Sequence, residues 1–121
     1  MSIRVKSQTV RVNFEEYEGD TLTMSFNYKD ANGTPIDLLG YTAKMDICTE
    51  ALTTPILTLT DTDGITLDGS PNNIVVVLTP AQTHTTLGVG DFVYDLELTD
   101  GLGAVNTLIE GTITINQSVT Q

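Results

Sequence analysis

The sequence predicts an all-β sandwich, and three features of the chain lead to that prediction. Apolar and polar residues alternate in several short segments, which is the period of a half-buried strand. Turn-forming residues separate these segments at short, regular spacing. A single segment carries the end signals of a helix. We therefore expect an immunoglobulin-like antiparallel β-sandwich with one short crossover helix.

The clearest predicted strand is Phe92–Leu98, where four apolar side chains share one face and Asp95 and Glu97 share the other. We expect this strand to be central, with Tyr94 and Leu96 in the core. Ile74–Leu78 is apolar throughout, so it is expected to be covered on both faces or to lie at the centre of the sandwich. The remaining predicted strands are Val10–Tyr17, Thr21–Tyr28, Thr42–Ile47, Ile56–Thr60, Ile65–Leu67 and Leu108–Ile115.

The segments between the strands contain the residues that turns require. Four clusters of Asp, Asn and Gly predict turns at Asp30–Gly33, Asp61–Gly64, Asp68–Asn73 and Asp100–Gly103. The predicted helix is Thr79–Leu87, with Thr79 as its N-cap, Pro80 at its first position and Gly88 beyond its end. We expect it to cross from one sheet to the other.

Length and charge limit the organisation and the partners. A chain of 121 residues fits one domain, which we place at residues 9–121 after an extended N-terminal arm at residues 1–8. The chain has 16 acidic and 5 basic residues, a net charge of −11. Such a surface repels phosphate backbones and anionic headgroups, so we expect no nucleic-acid and no membrane partner.

The N-terminal arm is the candidate contact segment. Residues 1–14 carry three basic side chains and no acid, and Ile3 and Val5 alternate with Arg4 and Lys6. We expect this arm to bridge subunits by adding to the sheet edge of a neighbouring copy, whose surface is acidic, which makes a homo-oligomer the expected state. The alternative is a frayed terminus whose basic residues have no partner.

Catalytic chemistry finds little support in the sequence. His84 and Cys48 are the one histidine and the one cysteine of the chain. His84 is expected to be exposed on the short helix, and Cys48 is out of phase with Ala43, Met45 and Ile47, so it should face away from their side of the sheet. We expect no catalytic residues, no cofactor and no enzyme activity.

Several carboxylates lie close together in the sequence, where acid–base pairs or metal ligands could be sought. Asp95 with Glu97, and Glu15 with Glu16 and Glu18, are read as solvated faces, since the chain has no Trp to form a sugar platform. Asp61 and Asp63 resemble the start of a calcium loop, but the remaining ligands of that loop are missing. We therefore expect a hairpin turn there and no metal site.

Two segments carry a resemblance to a known family: Asp30–Ile47, DANGTPIDLLGYTAKMDI, and Val93–Ile115, VYDLELTDGLGAVNTLIEGTITI. With Gly19–Phe26, GDTLTMSF, they resemble the immunoglobulin-like domains of tailed-bacteriophage virion proteins, and are similar to the N-terminal domain of the baseplate upper protein. The resemblance extends from about Glu18 to Thr120. It implies a virion structural protein in a tail, baseplate or fibre attachment, with other virion proteins as partners, and it brings no catalytic or ligand residues.

The length of the chain bears on this role. Baseplate proteins of that family continue into a coiled coil and a receptor-binding region, so we expect a small adaptor, decoration or fibre-linking protein. The N-terminus lacks the apolar region of a signal peptide, so synthesis in the host cytoplasm and location in the virion are expected. The alternatives are a glycan- or receptor-binding module and, with least support, a hydrolase with an acidic site.

Overall fold

A computed structural model of the chain describes residues 2–4 by their backbone and residues 9–51, 53–68 and 72–119 in full. These residues form ten strands in two sheets. Sheet I contains β1 (Ser2–Arg4), β4 (Leu22–Lys29), β7 (Ile65–Leu67) and β8 (Ile74–Leu78). Sheet II contains β2 (Val10–Arg11), β3 (Phe14–Tyr17), β5 (Thr42–Cys48), β6 (Leu57–Thr60), β9 (Gly90–Thr99) and β10 (Val105–Asn116).

The strand order is that of the immunoglobulin class. Sheet I runs β1-β4-β8-β7, and sheet II runs β2-β10-β9-β5-β6 with β3 also paired to β10. When β4 to β10 are lettered B, C, C′, D, E, F and G, the sheets read B-E-D and G-F-C-C′, which is the immunoglobulin arrangement. The predicted fold class is confirmed.

The longer strands pair antiparallel, as expected, and three short strands at the start of the chain add parallel pairs. The strand β1 runs parallel to β4, and both β2 and β3 run parallel to β10. Side-chain alternation is the same in parallel and antiparallel strands, so the sequence pattern holds no information about strand direction.

The core lies between the two sheets and comes from alternate strand positions. The strand β9 is central in sheet II, and Tyr94 and Leu96 are buried in it as predicted. The strand β4 supplies the facing layer through four buried residues, Leu22, Met24, Phe26 and Tyr28. On β10 a register shift between Thr107 and Ile109 allows both Leu108 and Ile109 to be buried.

The predicted strand Val10–Tyr17 is interrupted at Val12 and Asn13, which separates β2 from β3. The amide of Val12 still donates to the Glu110 carbonyl, at 2.8 Å. The side-chain Oδ1 of Asn13 accepts from the Thr112 amide at 3.0 Å, in the place of a backbone carbonyl. The break between β2 and β3 therefore stays bonded to β10, and the register is the same on both sides of it.

The apolar strand β8 lies inside sheet I, between β4 and β7. Its residues Ile74, Val76 and Leu78 are buried in the core, whereas Val75 and Val77 are half-buried on the outer face of the sheet. Its apolar composition predicts either cover on both faces or a central position. The structure shows the central position.

The short helix connects β8 in sheet I to β9 in sheet II, as predicted. Thr79 and Gln82 form a reciprocal cap: the Gln82 amide donates to Thr79 Oγ1 at 3.2 Å, and the Thr79 amide donates to Gln82 Oε1 at 2.8 Å. The helix widens into a π-helical turn at Gln82–Leu87 and ends at Gly88, whose φ is +75°.

The turn at Asp61–Gly64 is not a hairpin, contrary to the prediction. It joins β6 in sheet II to β7 in sheet I, so the two strands that flank it do not pair with each other. A turn sequence of this kind reverses the chain in either setting, and hydrophobic alternation does not reveal which sheet the next strand joins.

Candidate functional site

The backbone of the candidate contact arm pairs with its own chain for part of its length. Ile3 lies opposite Tyr28 and Arg4 opposite Lys29 in the parallel β1–β4 pair, so β1 forms one edge of sheet I. Val5 and Lys6 lie outside the described residues. Exchange of the arm with a neighbouring copy stays a prediction, and it requires β1 to leave this edge.

Three carboxylates lie side by side on the outer face of sheet II. Asp95 on β9 is directly opposite Glu110 on β10 and Asp46 on β5. Burial raises the pKa of Asp95, and the charges of Glu97, Asp46 and Glu110 raise it further, whereas Lys44 acts in the opposite direction. Like charges at facing positions lower the stability of a sheet.

An open groove of about 560 Å³ runs beside these carboxylates and is also lined by Cys48 and Val93. Two cations flank the row: Arg11 Nη1 is 4.0 Å from Glu110 Oε1, and Lys44 Nζ is 3.7 Å from Asp46 Oδ2. These ion pairs are exposed to water and contribute little to stability. Within the described part of the chain, no three His, Cys, Asp or Glu side chains are placed to hold a metal ion.

Cys48 faces away from the core, as predicted from its phase on β5. Its Sγ lies 3.6 Å from the carbonyl oxygen of Thr53, on the outer side of sheet II. The thiol therefore lines the groove at the end of β5. Among the described residues, no basic side chain is bonded to it.

His84 is exposed on the short helix, as predicted, and its partner is a carboxylate. Its Nδ1 lies 3.5 Å from Oε2 of Glu18, whose side chain is 13% exposed. Both residues line a second groove of about 520 Å³, together with Asp20, Pro80 and other residues. Since Cys48 lines the first groove, the histidine and the cysteine of this chain do not form a nucleophile–base pair.

Asp61 and Asp63 have structural roles in the turn between the sheets. Oδ1 of Asp61 accepts from the Ala43 amide at 3.1 Å, which ties the turn to the start of β5. The backbone of Asp63 exchanges hydrogen bonds of 2.9 Å with Thr60 in both directions. These contacts hold the two residues in the turn.

Two exposed leucines lie on neighbouring loops at one end of the sandwich. Leu39, between β4 and β5, is 84% exposed, and Leu102, in the β9–β10 hairpin, is 97% exposed. The loops meet at the residues next to them, where a Cβ on Gly101 would lie 4.0 Å from the Gly40 carbonyl oxygen. Single exposed leucines are ordinary, but exposed apolar side chains on two loops that meet offer a contact surface. We call Leu39, Leu102 and their two loops the loop end.

Aspartates fix the backbone of the loop end. Oδ1 of Asp100 accepts from the amides of Leu102 and Ala104 at 2.9 and 3.0 Å, and Oδ1 of Asp37 accepts from the Leu39 amide at 2.9 Å. The bond from Leu39, with a contact from Asp68, lowers the pKa of Asp37. These bonds already order the loops. Binding of a partner to the leucines therefore carries only a small free-energy cost for ordering them.

Leu39 and Leu102 were not predicted as contact residues from the sequence. An apolar residue in a turn has no periodicity that distinguishes a surface position from a buried one. A signal was nevertheless present, because each leucine follows an aspartate by two residues, the spacing at which an Asp side chain bonds the backbone of a tight turn.

Comparisons with known proteins place the chain in no family. No family model matches it, and no curated protein matches it. Among solved structures, it is similar to an endo-fucoidan hydrolase of glycoside hydrolase family 107, with a TM-score of 0.44 and 15% identity. That alignment covers 92% of this chain and 13% of the hydrolase. A likeness this weak does not identify a function.

In the ranges that the structure describes, no helix combines the length and the hydrophobicity needed to cross a bilayer.

Proposed function

We propose that this chain is a structural protein of a tailed-bacteriophage virion, without enzyme activity, that acts as an adaptor or decoration through protein–protein contacts. The sequence segments Asp30–Ile47 and Val93–Ile115, which carry the resemblance to that class, contain both leucines of the loop end. The immunoglobulin-like strand order agrees with the same resemblance.

The observation that carries the proposal is the ordered loop end. Leu39 and Leu102 are almost fully exposed, although Asp37 and Asp100 hold the backbone amides beside them. A rigid loop that presents a leucine to water gains stability when a partner covers that leucine, at about 25 cal/mol per Å² of apolar area. Contact with another protein is therefore the activity that this surface best supports.

Several polar side chains on the surface have structural contacts, which supports the same proposal. His84 is paired with Glu18, and Asp61 holds the Ala43 amide. The carboxylates of Asp46 and Glu110 face Lys44 and Arg11 across the surface of sheet II. Each of these groups has a structural neighbour that accounts for its position.

The test is to locate the protein in particles. Virions purified from cells that carry the corresponding phage genome are analysed by quantitative mass spectrometry and electron microscopy, with Leu39→Ser/Leu102→Ser compared against Val89→Ser. Val89 is also exposed, at 56%, but lies outside the loop end. We expect the wild type and the Val89 variant in every particle at a fixed copy number, and the double variant at least about tenfold depleted.

Absence of the wild-type protein from particles would contradict the proposal. Specific binding of the purified protein to an immobilised glycan, combined with that absence, would favour the glycan-binding alternative.

A further inference from the structure

The outer face that β4, β7 and β8 form in sheet I carries almost no charge. None of the 16 acidic residues of the chain lies on β4, β7 or β8, and the one basic residue on these strands is Lys29, at the end of β4. The face is built from two half-buried valines flanked by small polar side chains: Val75 lies opposite Ser25 and Thr66, and Val77 lies opposite Thr23.

Sheet II differs sharply in charge. Its strands carry seven acidic residues, Glu15, Glu16, Asp46, Asp91, Asp95, Glu97 and Glu110. In a chain of net charge −11, two copies repel each other wherever their acidic surfaces meet. The outer face of sheet I is the strand surface on which a second copy meets the least repulsion.

We propose that this face packs against the same face of a second copy, about a twofold axis, with the two β4 strands antiparallel. A twofold contact requires one surface to complement itself, and an uncharged face of Val, Thr, Ser and Asn side chains meets that condition. In this arrangement Lys29, the last residue of β4, lies over the region around Asp20 in the partner copy. Asp20 comes shortly before the first residue of β4. Two symmetric lysine–aspartate contacts then close the rim.

The size of the face sets the expected strength. An eight-residue strand is about 26 Å long and four strands span about 19 Å, so each copy buries at most about 500 Å² of sheet face. Two copies together therefore bury no more than about 1,000 Å², at or below the low end for specific interfaces. The dimer is therefore weak and reversible, with a dissociation constant in the range of about 1–100 µM. This inference does not depend on a virion role and stands if the proposed function fails.

Sedimentation equilibrium from about 5 to 500 µM, the range that brackets such a dissociation constant, tests the proposal. The variant Val75→Glu places a charge in the middle of the face, and Val93→Glu is its control, because Val93 is a half-buried outer valine on sheet II. We expect the wild type and Val93→Glu to approach dimer mass with the same constant. Val75→Glu should dimerise at least about tenfold more weakly, since it buries an unpaired carboxylate.

A wild type of monomer mass at the highest concentration overturns the proposal, and so does equal weakening by Val93→Glu. If circular dichroism shows that Val75→Glu has unfolded, Thr23→Lys replaces it, because Thr23 is exposed on the same face. A folded Thr23→Lys variant that still dimerises at full strength overturns the proposal as well.

The antiparallel arrangement has its own test. Lys29→Asp and Asp20→Lys each place like charges together at both rims, and we expect each to weaken the dimer several-fold at low salt. The double variant restores the pairing with reversed signs and should return the dissociation constant towards that of the wild type. Failure of the double variant to recover overturns the antiparallel arrangement.

Discussion

The hydroxyl group of Tyr94 donates a 2.7 Å hydrogen bond to the carbonyl oxygen of Val12. Gly111 lies opposite Tyr94 in the β9–β10 ladder and leaves room for the Val12 backbone beside it. Burial raises the pKa of Tyr94, although Arg11 acts against this, so the hydroxyl stays protonated and able to donate. The bond therefore fastens the segment between β2 and β3 to the central strand of sheet II.

Removal of this hydroxyl tests its contribution. Tyr94→Phe keeps the ring in the core but leaves the Val12 carbonyl without its donor, so we expect the free energy of unfolding to fall by about 1–2 kcal/mol. Tyr17→Phe is the control, because Tyr17 is 53% exposed and should tolerate the change. Urea denaturation gives both values. Equal stability of the Tyr94 variant and the wild type would show that water replaces the lost donor.

Gly111 permits the close approach of the two backbones. A Cβ at this position would overlap the Val12 carbonyl oxygen, a backbone atom that cannot rotate away, so Gly111→Ala should cost about 3 kcal/mol. Gly101→Ala is the matched control, since its Cβ would meet no atom closer than 4.0 Å. Thermal melts of both variants measure the difference. A Gly111 variant as stable as the control would mean that β2 and β3 can move off β10 without loss.

Leu96 is fully buried at the centre of β9, so Leu96→Ala should lower the free energy of unfolding by about 2–5 kcal/mol. Leu102→Ala removes the same atoms from a side chain that is 97% exposed and should leave stability within about 0.5 kcal/mol of the wild type. Chemical denaturation compares the two. Similar costs at both positions would contradict the assignment of core and surface.

The fold was predictable where one face of a strand is buried. The alternation in Phe92–Leu98 placed Tyr94 and Leu96 in the core, and the signals at Thr79, Pro80 and Gly88 located the helix. These features are local, because each depends on residues close in sequence.

Strand direction and register were not predictable, since neither leaves a local signal. The parallel pairing of β3 with β10 and the facing positions of Asp95, Glu110 and Asp46 depend on contacts distant in sequence. The same limit explains why the turn after Asp61 was taken for a hairpin. Gly111, a lone glycine inside a strand pattern, was an available sign of the close backbone approach at Val12.

The three neighbouring carboxylates on sheet II, Asp95, Glu110 and Asp46, predict that the stability of the protein depends on pH through Asp95. Its folded pKa is raised above the ordinary value of about 3.9, so the folded state binds more protons than the unfolded state at pH values between the two. Wild-type stability therefore falls as the pH rises through that window. Asp95→Asn lacks this loss, and we expect it to be more stable than the wild type at pH 7.

The gain from Asp95→Asn should stay under about 1 kcal/mol, because the side chain is partly exposed and solvent screens its neighbours. Below the ordinary aspartate pKa both proteins carry an uncharged group at this position, so the difference should vanish there. Asp63→Asn, at an exposed turn residue outside the carboxylate row, is the control for the loss of one aspartate. Melting temperatures from pH 3 to 8, at low and high salt, measure the effect. A variant less stable than the wild type at pH 7 would mean that the Asp95 carboxylate makes a stabilising contact that outweighs its repulsion from Glu110 and Asp46.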